Sequence, residues 1–211
     1  MQPQETVQNG SDSLEDLHLL GPIVRLQVQV ASLKQGERPH SWYEPGPITA
    51  VSAMCLEPSG VVGLEGEVEF DDIHHMLHPH SKFRGENGVS VGLTGHYTRM
   101  RERFGDFLTD GIAGENILVE ADRVLTEGEV AAGVVIETAN GWIDLTAVQG
   151  APPCVEFSRF CAGYPLDRPS DRGITETLQF LNDGMRGFYA TLGANDTRPT
   201  IALGDRVYLR M

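Results

Sequence analysis

The chain has 211 residues, 40% hydrophobic and 22% charged, the composition of a soluble globular protein with one good core or at most two small ones. A formal net charge of −14 argues against nucleic acid and anionic membrane surfaces as partners, because both are polyanions. No apolar run approaches the ~20 residues of a membrane-spanning helix.

Residues 1–20 are polar, acidic and aperiodic and read as a disordered or loosely docked tail ahead of a single domain over 21–211. They lack the basic start and apolar core of a secretory signal and carry no Arg or Lys, so the expected location is cytoplasmic. Alternation of apolar and polar residues over Ile23–Val30 predicts a half-buried strand. The three prolines between Gly36 and Pro47 mark a loop, and Ile48–Leu56 and Val61–Phe70 follow as strand candidates. Val89–Leu93 reads as a short strand. Thr94 is the expected cap of an amphipathic helix to about Leu108, with Tyr97, Met100, Arg101 and Phe104 at helical spacing. Ile117–Glu120, Gly133–Thr138, Trp142–Val148, Met185–Leu192 and Arg206–Leu209 are further β segments, and Ile174–Leu181 is a helix closed by Gly184. Many short strands, few helices, 24 glycines and no strand–helix–strand rhythm predict a mainly β protein. A closed or nearly closed β-barrel with peripheral helices is the economical form, because closure removes exposed strand edges.

Four groups of residues carry chemistry. Four of the seven histidines fall within His74–His80. The spacing matches no standard hydrolase site, and Pro79 interrupts any helix aligning His75 with His78, so loop capping or anion contact is expected rather than zinc. Between Lys82 and Arg103 five cations face two carboxylates, a net +3 in an acidic chain. These form either an arginine-dotted helix face or a cationic pocket for a compact anion such as phosphate. Gly111–Ile117 (GIAGENI) delivers Glu115 and Asn116 on a glycine-flanked turn just before a strand.

The fourth group is the thiols. Three cysteines are too few and too irregular for a disulfide framework or zinc ribbon. Cys55 sits in an apolar strand and reads as core. Cys161, in an aromatic stretch, is either buried or a resolving partner. Cys154 follows Pro152-Pro153 on a rigid turn, which suits a side chain that must be presented accurately and activated by a neighbouring cation or metal.

GIAGENI (111–117), APPC (151–154), GMRGFYATL (184–192) and LGDRVYL (203–209), in that order, resemble the MOSC family, named for the C-terminal domain of molybdenum cofactor sulfurase. HPHSKFRGENGVSVGLTGHY (78–97) is similar to the family's HGG…HY stretch, and the likeness covers roughly residues 60–210. Three places depart from the pattern. HGG reads HPH, an Arg often found before Pro-x-Pro-Cys is Ala151, and the GD-x-(L/V)-x-x-G segment reads Gly128–Gly133. The resemblance implies a β-barrel that binds molybdenum cofactor (molybdopterin), with Cys154 as catalytic residue and metal ligand. It also implies cofactor contacts from His78, Ser81, Lys82, Arg84, Glu115, Asn116 and Arg186. The implied activity is reduction of N-oxygenated small molecules with electrons from a donor protein, or sulfur transfer through a Cys154 persulfide fed by a pyridoxal phosphate-linked cysteine desulfurase. A non-catalytic cofactor carrier is the alternative.

Overall fold

The computed structural model describes residues 16–165, 172–193 and 198–211. Its strands are β1 (Leu17–Gln29), β2 (Lys34–Gln35), β3 (Trp42–Tyr43), β4 (Ile48–Val51), β5 (Ala53–Glu57), β6 (Gly60–Glu65) and β7 (Val68–Asp71), followed by β8 (Val89–Leu93). Helix α1 (Thr94–Phe104), β9 (Ile117–Val119), α2 (Glu127–Val130), β10 (Val134–Thr138), β11 (Gly141–Gly150) and α3 (Val155–Cys161) come next. The chain then forms α4 (Arg172–Leu181), β12 (Phe188–Leu192), β13 (Thr200–Ala202) and β14 (Arg206–Arg210).

Among the described residues seven strands close a barrel in the order β14-β10-β11-β12-β8-β9-β1, with β1 pairing back onto β14. β4 extends β1 outside the ring, and β13-β5-β6-β7 form a second sheet. Closure leaves the barrel no free edge. Its interior is filled by alternate residues such as Leu26, Val28, Val91, Ile117, Val134, Ile136, Ile143, Leu145, Phe188 and Leu209. β11 shows how the alternation survives ten residues. Ile143 and Leu145 point inward, then the register slips between Thr146 and Gln149, with Ala147 at φ 50°, which brings Val148 inward as well. A second core, built from Leu33, Tyr43, Tyr97, Met100, Leu108, Phe157, Cys161 and Leu181, joins α1, α3, α4 and the β2–β3 hairpin. No described helix is long and apolar enough to cross a membrane.

Several expectations are corrected. β1 begins at Leu17, paired with Arg210, so residues 17–20 belong to the barrel and not to a tail; residues 1–15 lie outside the described residues. The second and third strand candidates each split into two strands, because a bend at Ser52 carries the chain from the barrel sheet to the second sheet and the turn after Glu65 reverses it. One strand–helix–strand unit does exist: β8 and β9 are parallel and α1 crosses between them. Leu93 occupies the cap position of α1 and makes no side-chain cap bond. Thr94 Oγ1 is spent elsewhere, accepting from the Ala121 N–H at 3.0 Å and donating to the Ala121 carbonyl at 3.1 Å. The helix ends at Phe104, where Gly105 takes φ 116° and donates its N–H to the Arg101 carbonyl. Helices α2 and α3 and strand β13 had no clear periodicity to announce them, each being seven residues or shorter.

Candidate functional site

A cleft of about 260 Å³ opens where barrel and second core meet. Its lining takes Ser90 from β8, Phe188 and Tyr189 from β12, Tyr43 from β3, and the loops carrying Lys82, Arg84, Glu115 and Cys154.

The thiol is placed by backbone. Ala151 N–H donates to the Gly187 carbonyl at 2.9 Å, anchoring the Pro152-Pro153 turn to the start of β12. Cys154 then stands at the N-cap of α3 in extended conformation, its Sγ accepting the Phe157 N–H at 3.5 Å. Cys154 is partly exposed, whereas Cys55 and Cys161 are buried. Burial pushes the Cys161 thiol up to about 12, against the opposing pull of Arg186. Cys55 Sγ lies 3.4 Å from Thr200 Oγ1 in the second sheet, away from the cleft.

Arg186 reaches the same cleft from the turn before β12. It donates from Nη2 to the Ala113 carbonyl at 3.2 Å and lies over the Phe157 ring, 5.5 Å from its centroid. Its Nε is buried with no hydrogen-bond partner among the described residues. Burial opposes its charge, yet Tyr189, Tyr43 and Cys154 hold its pKa above the ordinary arginine value. Lys82 and Arg84 come from the loop before β8. The backbone of that loop is fixed by Asn87, whose Oδ1 accepts the Arg84 N–H at 2.7 Å and whose Nδ2 donates to the Lys82 carbonyl at 3.0 Å. Lys82 Nζ donates to Ser32 Oγ at 2.5 Å, and partial burial together with nearby Lys34 lowers its pKa. Arg84 is half exposed, 3.4 Å from Glu86, with its guanidinium 5.9 Å from the Tyr189 ring centroid. Lys34, on β2, is a further cation in the lining and pairs with Glu156 at 3.8 Å. Burial alone would raise the Glu156 pKa, but its own amide, Ser41 and Lys34 bring it below the ordinary carboxylate value.

Glu115 also lines the cleft, while Asn116 faces away from it. Asn116 Oδ1 accepts from Ser90 N–H and Oγ–H at 3.0 and 2.8 Å, and Nδ2 donates to Asp72 Oδ2 at 3.0 Å. Its donors and acceptors therefore lock the GIAGENI loop to β8 and to Asp72, leaving none for a ligand. The loop needs its glycines. At Gly114 (φ 86°) a Cβ would lie 2.6 Å from Leu33 Cδ1, and Gln29 Nε2 donates to the Gly114 carbonyl at 2.6 Å.

The histidines disperse. His74 lines the cleft, its Nδ1 2.9 Å from buried Asp72. His75 is buried between Ser59 Oγ at 3.0 Å and Glu57 at 3.3 Å; its Nδ1 accepts the Leu77 N–H, so it cannot also donate to Asp71, as a serine-hydrolase relay would require. His78 is not in the lining; its Nε2 lies 3.2 Å from the Val30 carbonyl. Ser81, exposed, accepts the Phe83 N–H and is likewise outside the lining. Among the described residues no group of three or more His, Cys, Asp or Glu is arranged to hold a metal ion. Arg99 and Arg101 are spent on Glu102 and Asp110, and Arg103 lies over the Phe104 and Phe180 rings. The cationic segment thus divides into a helix face and two pocket residues. Ser32, Lys34, Tyr43 and Tyr189 were missed: the first three sit on a loop and two two-residue strands that leave no pattern in a sequence, and which face of β12 Tyr189 presents depends on register.

No family model matches the chain, and no curated protein matches it in sequence. Solved structures do. The YuaD protein of Bacillus subtilis superposes with a TM-score of 0.58 at 12% identity, over 92% of this chain and all of that one. A hypothetical protein gives 0.52 at 12% identity, over 92% of this chain and 70% of that one. YiiM of Escherichia coli gives 0.44 at 14% identity, over 90% and 69%. At these identities the likeness is one of fold.

Proposed function

We propose that the chain is a MOSC-type protein that binds molybdenum cofactor, with Cys154 as the soft ligand to molybdenum or as the atom that carries transferable sulfur. The observation behind this reading is the convergence of Cys154, Lys82, Arg84 and Arg186 on one cleft, together with the motif order along the chain. The residues fit the group. A single accessible thiol that already accepts an N–H is the donor a soft metal requires, and the unpartnered Arg186 Nε waits for an anionic atom. Lys34, Lys82 and Arg84 at the cleft suit a phosphate group, with Arg84 able to grip two oxygens at once. The cofactor supplies two-electron chemistry at molybdenum or accepts sulfur there.

What this chain contributes is placement. Pro152 and Pro153 fix the thiol, the cations hold the anionic end, and Tyr43 and Phe188 form apolar wall. Removing oxygen from a hydroxylated nitrogen consumes two electrons and two protons and releases water, so a donor protein is required for reduction. A desulfurase is required for sulfur transfer. A carrier that binds cofactor without turnover uses the same cleft.

The test is cofactor binding by purified variants of protein made in a cofactor-competent host, with molybdenum measured by elemental analysis. Arg84→Ala is expected to bind about ten- to a hundredfold more weakly, because one charge-assisted contact is worth roughly 1.5–3 kcal/mol, and to melt like the parent. Cys154→Ser is expected to keep phosphate-dependent binding of the pterin and to lose molybdenum ligation and persulfide. Parent-like binding by Arg84→Ala removes the pocket assignment.

A further inference from the structure

A second cavity, of about 350 Å³, opens beside the cleft with a different lining: Trp42, Tyr43, Glu156, Arg159, Phe160 and Tyr164. Among these described residues four are aromatic and none is aliphatic. Tyr43 alone is common to the two linings.

The rings are held by residues that do not line the cavity. The Tyr43 hydroxyl donates to the Ile112 carbonyl at 2.6 Å, and its ring meets Phe157 at a centroid distance of 4.9 Å and 61°. Phe160 packs against Phe107 at 5.9 Å and 71°, and against Tyr43 at 5.2 Å and 50°. Trp42 is braced by Gly36. The φ of 74° there brings the hairpin backbone so near the indole that a Cβ would lie 2.4 Å from Cζ3. Trp42 is nevertheless 39% exposed, and among the described residues its ring pairs with no other. The indole is placed but unpaired.

The charges balance. Glu156 and Arg159 stand one turn apart on α3 and bring one negative and one positive group to the lining. Unlike the cationic cleft, this cavity has no net charge with which to select an ion. It offers ring surface. Aliphatic walls favour whichever solute is more apolar, whereas aromatic walls favour a flat ring, because the negative face of one ring complements the positive edge of another.

We infer that this cavity is a binding site for a neutral, planar aromatic ring, with Trp42 as its stacking partner and Tyr43 and Phe160 as its walls. The inference goes beyond the cofactor reading and does not depend on it.

Benzyl alcohol and cyclohexylmethanol are suitable probes, since they share a hydroxymethyl group and differ in the ring. The saturated alcohol is the more apolar, so burial alone would favour it. In NMR titrations of the full chain the two tryptophan indole N–H signals report separately, Trp142 lying on β11 beside Tyr208. Benzyl alcohol is expected to bind about two- to tenfold more tightly than cyclohexylmethanol, the preference one ring pair confers, and to shift Trp42 and the α3 amides. Equal binding, a preference for the saturated alcohol, or shifts confined to Trp142 or to the cleft residues Ser90 and Tyr189 overturns the site. Followed through the α3 amides, Trp42→Phe is expected to keep the preference within about threefold, and Trp42→Leu to abolish it. An undiminished preference in Trp42→Leu overturns the assignment. Should that variant fail to fold, Phe160→Leu, expected to lose the preference likewise, decides. A Trp42 signal that moves with protein concentration when neither alcohol is present would give the cavity to a second copy of the chain and overturn the small-molecule assignment.

Discussion

A thiol's behaviour is set by what surrounds it, and the three cysteines here have three surroundings. Cys161 is buried in the second core with its ionisation pushed up to about 12. Cys55 is buried between β-sheet neighbours beside Thr200. Cys154 alone is partly exposed, with a backbone N–H directed at its sulfur. Competitive alkylation with limiting iodoacetamide at neutral pH, followed by peptide mapping, should label Cys154 at least tenfold faster than either other cysteine, since only an accessible thiolate reacts. Labelling that favours Cys55 or Cys161 would remove Cys154 from its assigned role. Glu156, two residues on, was not foreseen. It sits on the first turn of α3 and holds Ser41 at 2.8 Å and Lys34 at 3.8 Å, which keeps the β2–β3 hairpin and its lysine beside the thiol.

At the scale of elements, the GIAGENI loop is the piece whose geometry is least replaceable. Gly114→Ala would put a methyl group into Leu33 and Gln29 and force a left-handed backbone on alanine. It should destabilise the fold by about 1–3 kcal/mol, read as a lower urea midpoint with an unchanged slope. Parent-like stability would show that the loop relaxes freely.

The same loop shows what a sequence discloses. Its glycines and its place before a strand were legible, because positive φ and β-periodicity leave residue-type signatures. That Asn116 braces the loop while Glu115 lines the cleft was not legible, because which of two neighbouring polar side chains faces a cavity depends on strand register. The alternation of β14 and of β1 from Ile23 onward could be read directly. The seven-residue α3 could not, being too short for periodicity and hidden in the run Phe157–Phe160. His78 and Ser81 were expected at the cofactor on motif likeness; the turns from His75 to Ser81 direct them to the Val30 carbonyl and the Phe83 amide instead.

For the molecule as a whole, His96 sets an acid limit. It is a buried residue of the first turn of α1, its Nε2 accepting the Leu125 N–H at 3.0 Å, which leaves Nδ1 to carry the proton of the neutral ring. Burial lowers its pKa from 6.5 to about 4. Between these values the unfolded chain binds a proton that the folded chain refuses, so stability rises with pH across the window. The contribution is fully present above about pH 6.5 and falls by up to about 3 kcal/mol on approach to pH 4. Urea midpoints measured across this range should drop accordingly, and His96→Gln should flatten that limb. An unchanged slope in the variant would place the acid sensitivity elsewhere.

Barrel closure by β1 on β14 has a kinetic consequence. The walls of the cleft are drawn from Gln29 near one end of the chain, Arg84 and Glu115 in its middle, and Arg186 and Tyr189 near the other, so no fragment contains the site. Contacts this distant in sequence make folding slow and concerted, because a long loop must lose its freedom before any pairing rewards it. The cations that recognise an anion and the thiol that would receive a metal should therefore appear together, in the step that seals the cylinder. In refolding from urea, protection of Cys154 by bound cofactor should follow the time course of global burial, with no earlier phase. Assembly of the protein would then act as its own timing device, withholding the thiol's partner until the whole chain has closed around the place it will occupy.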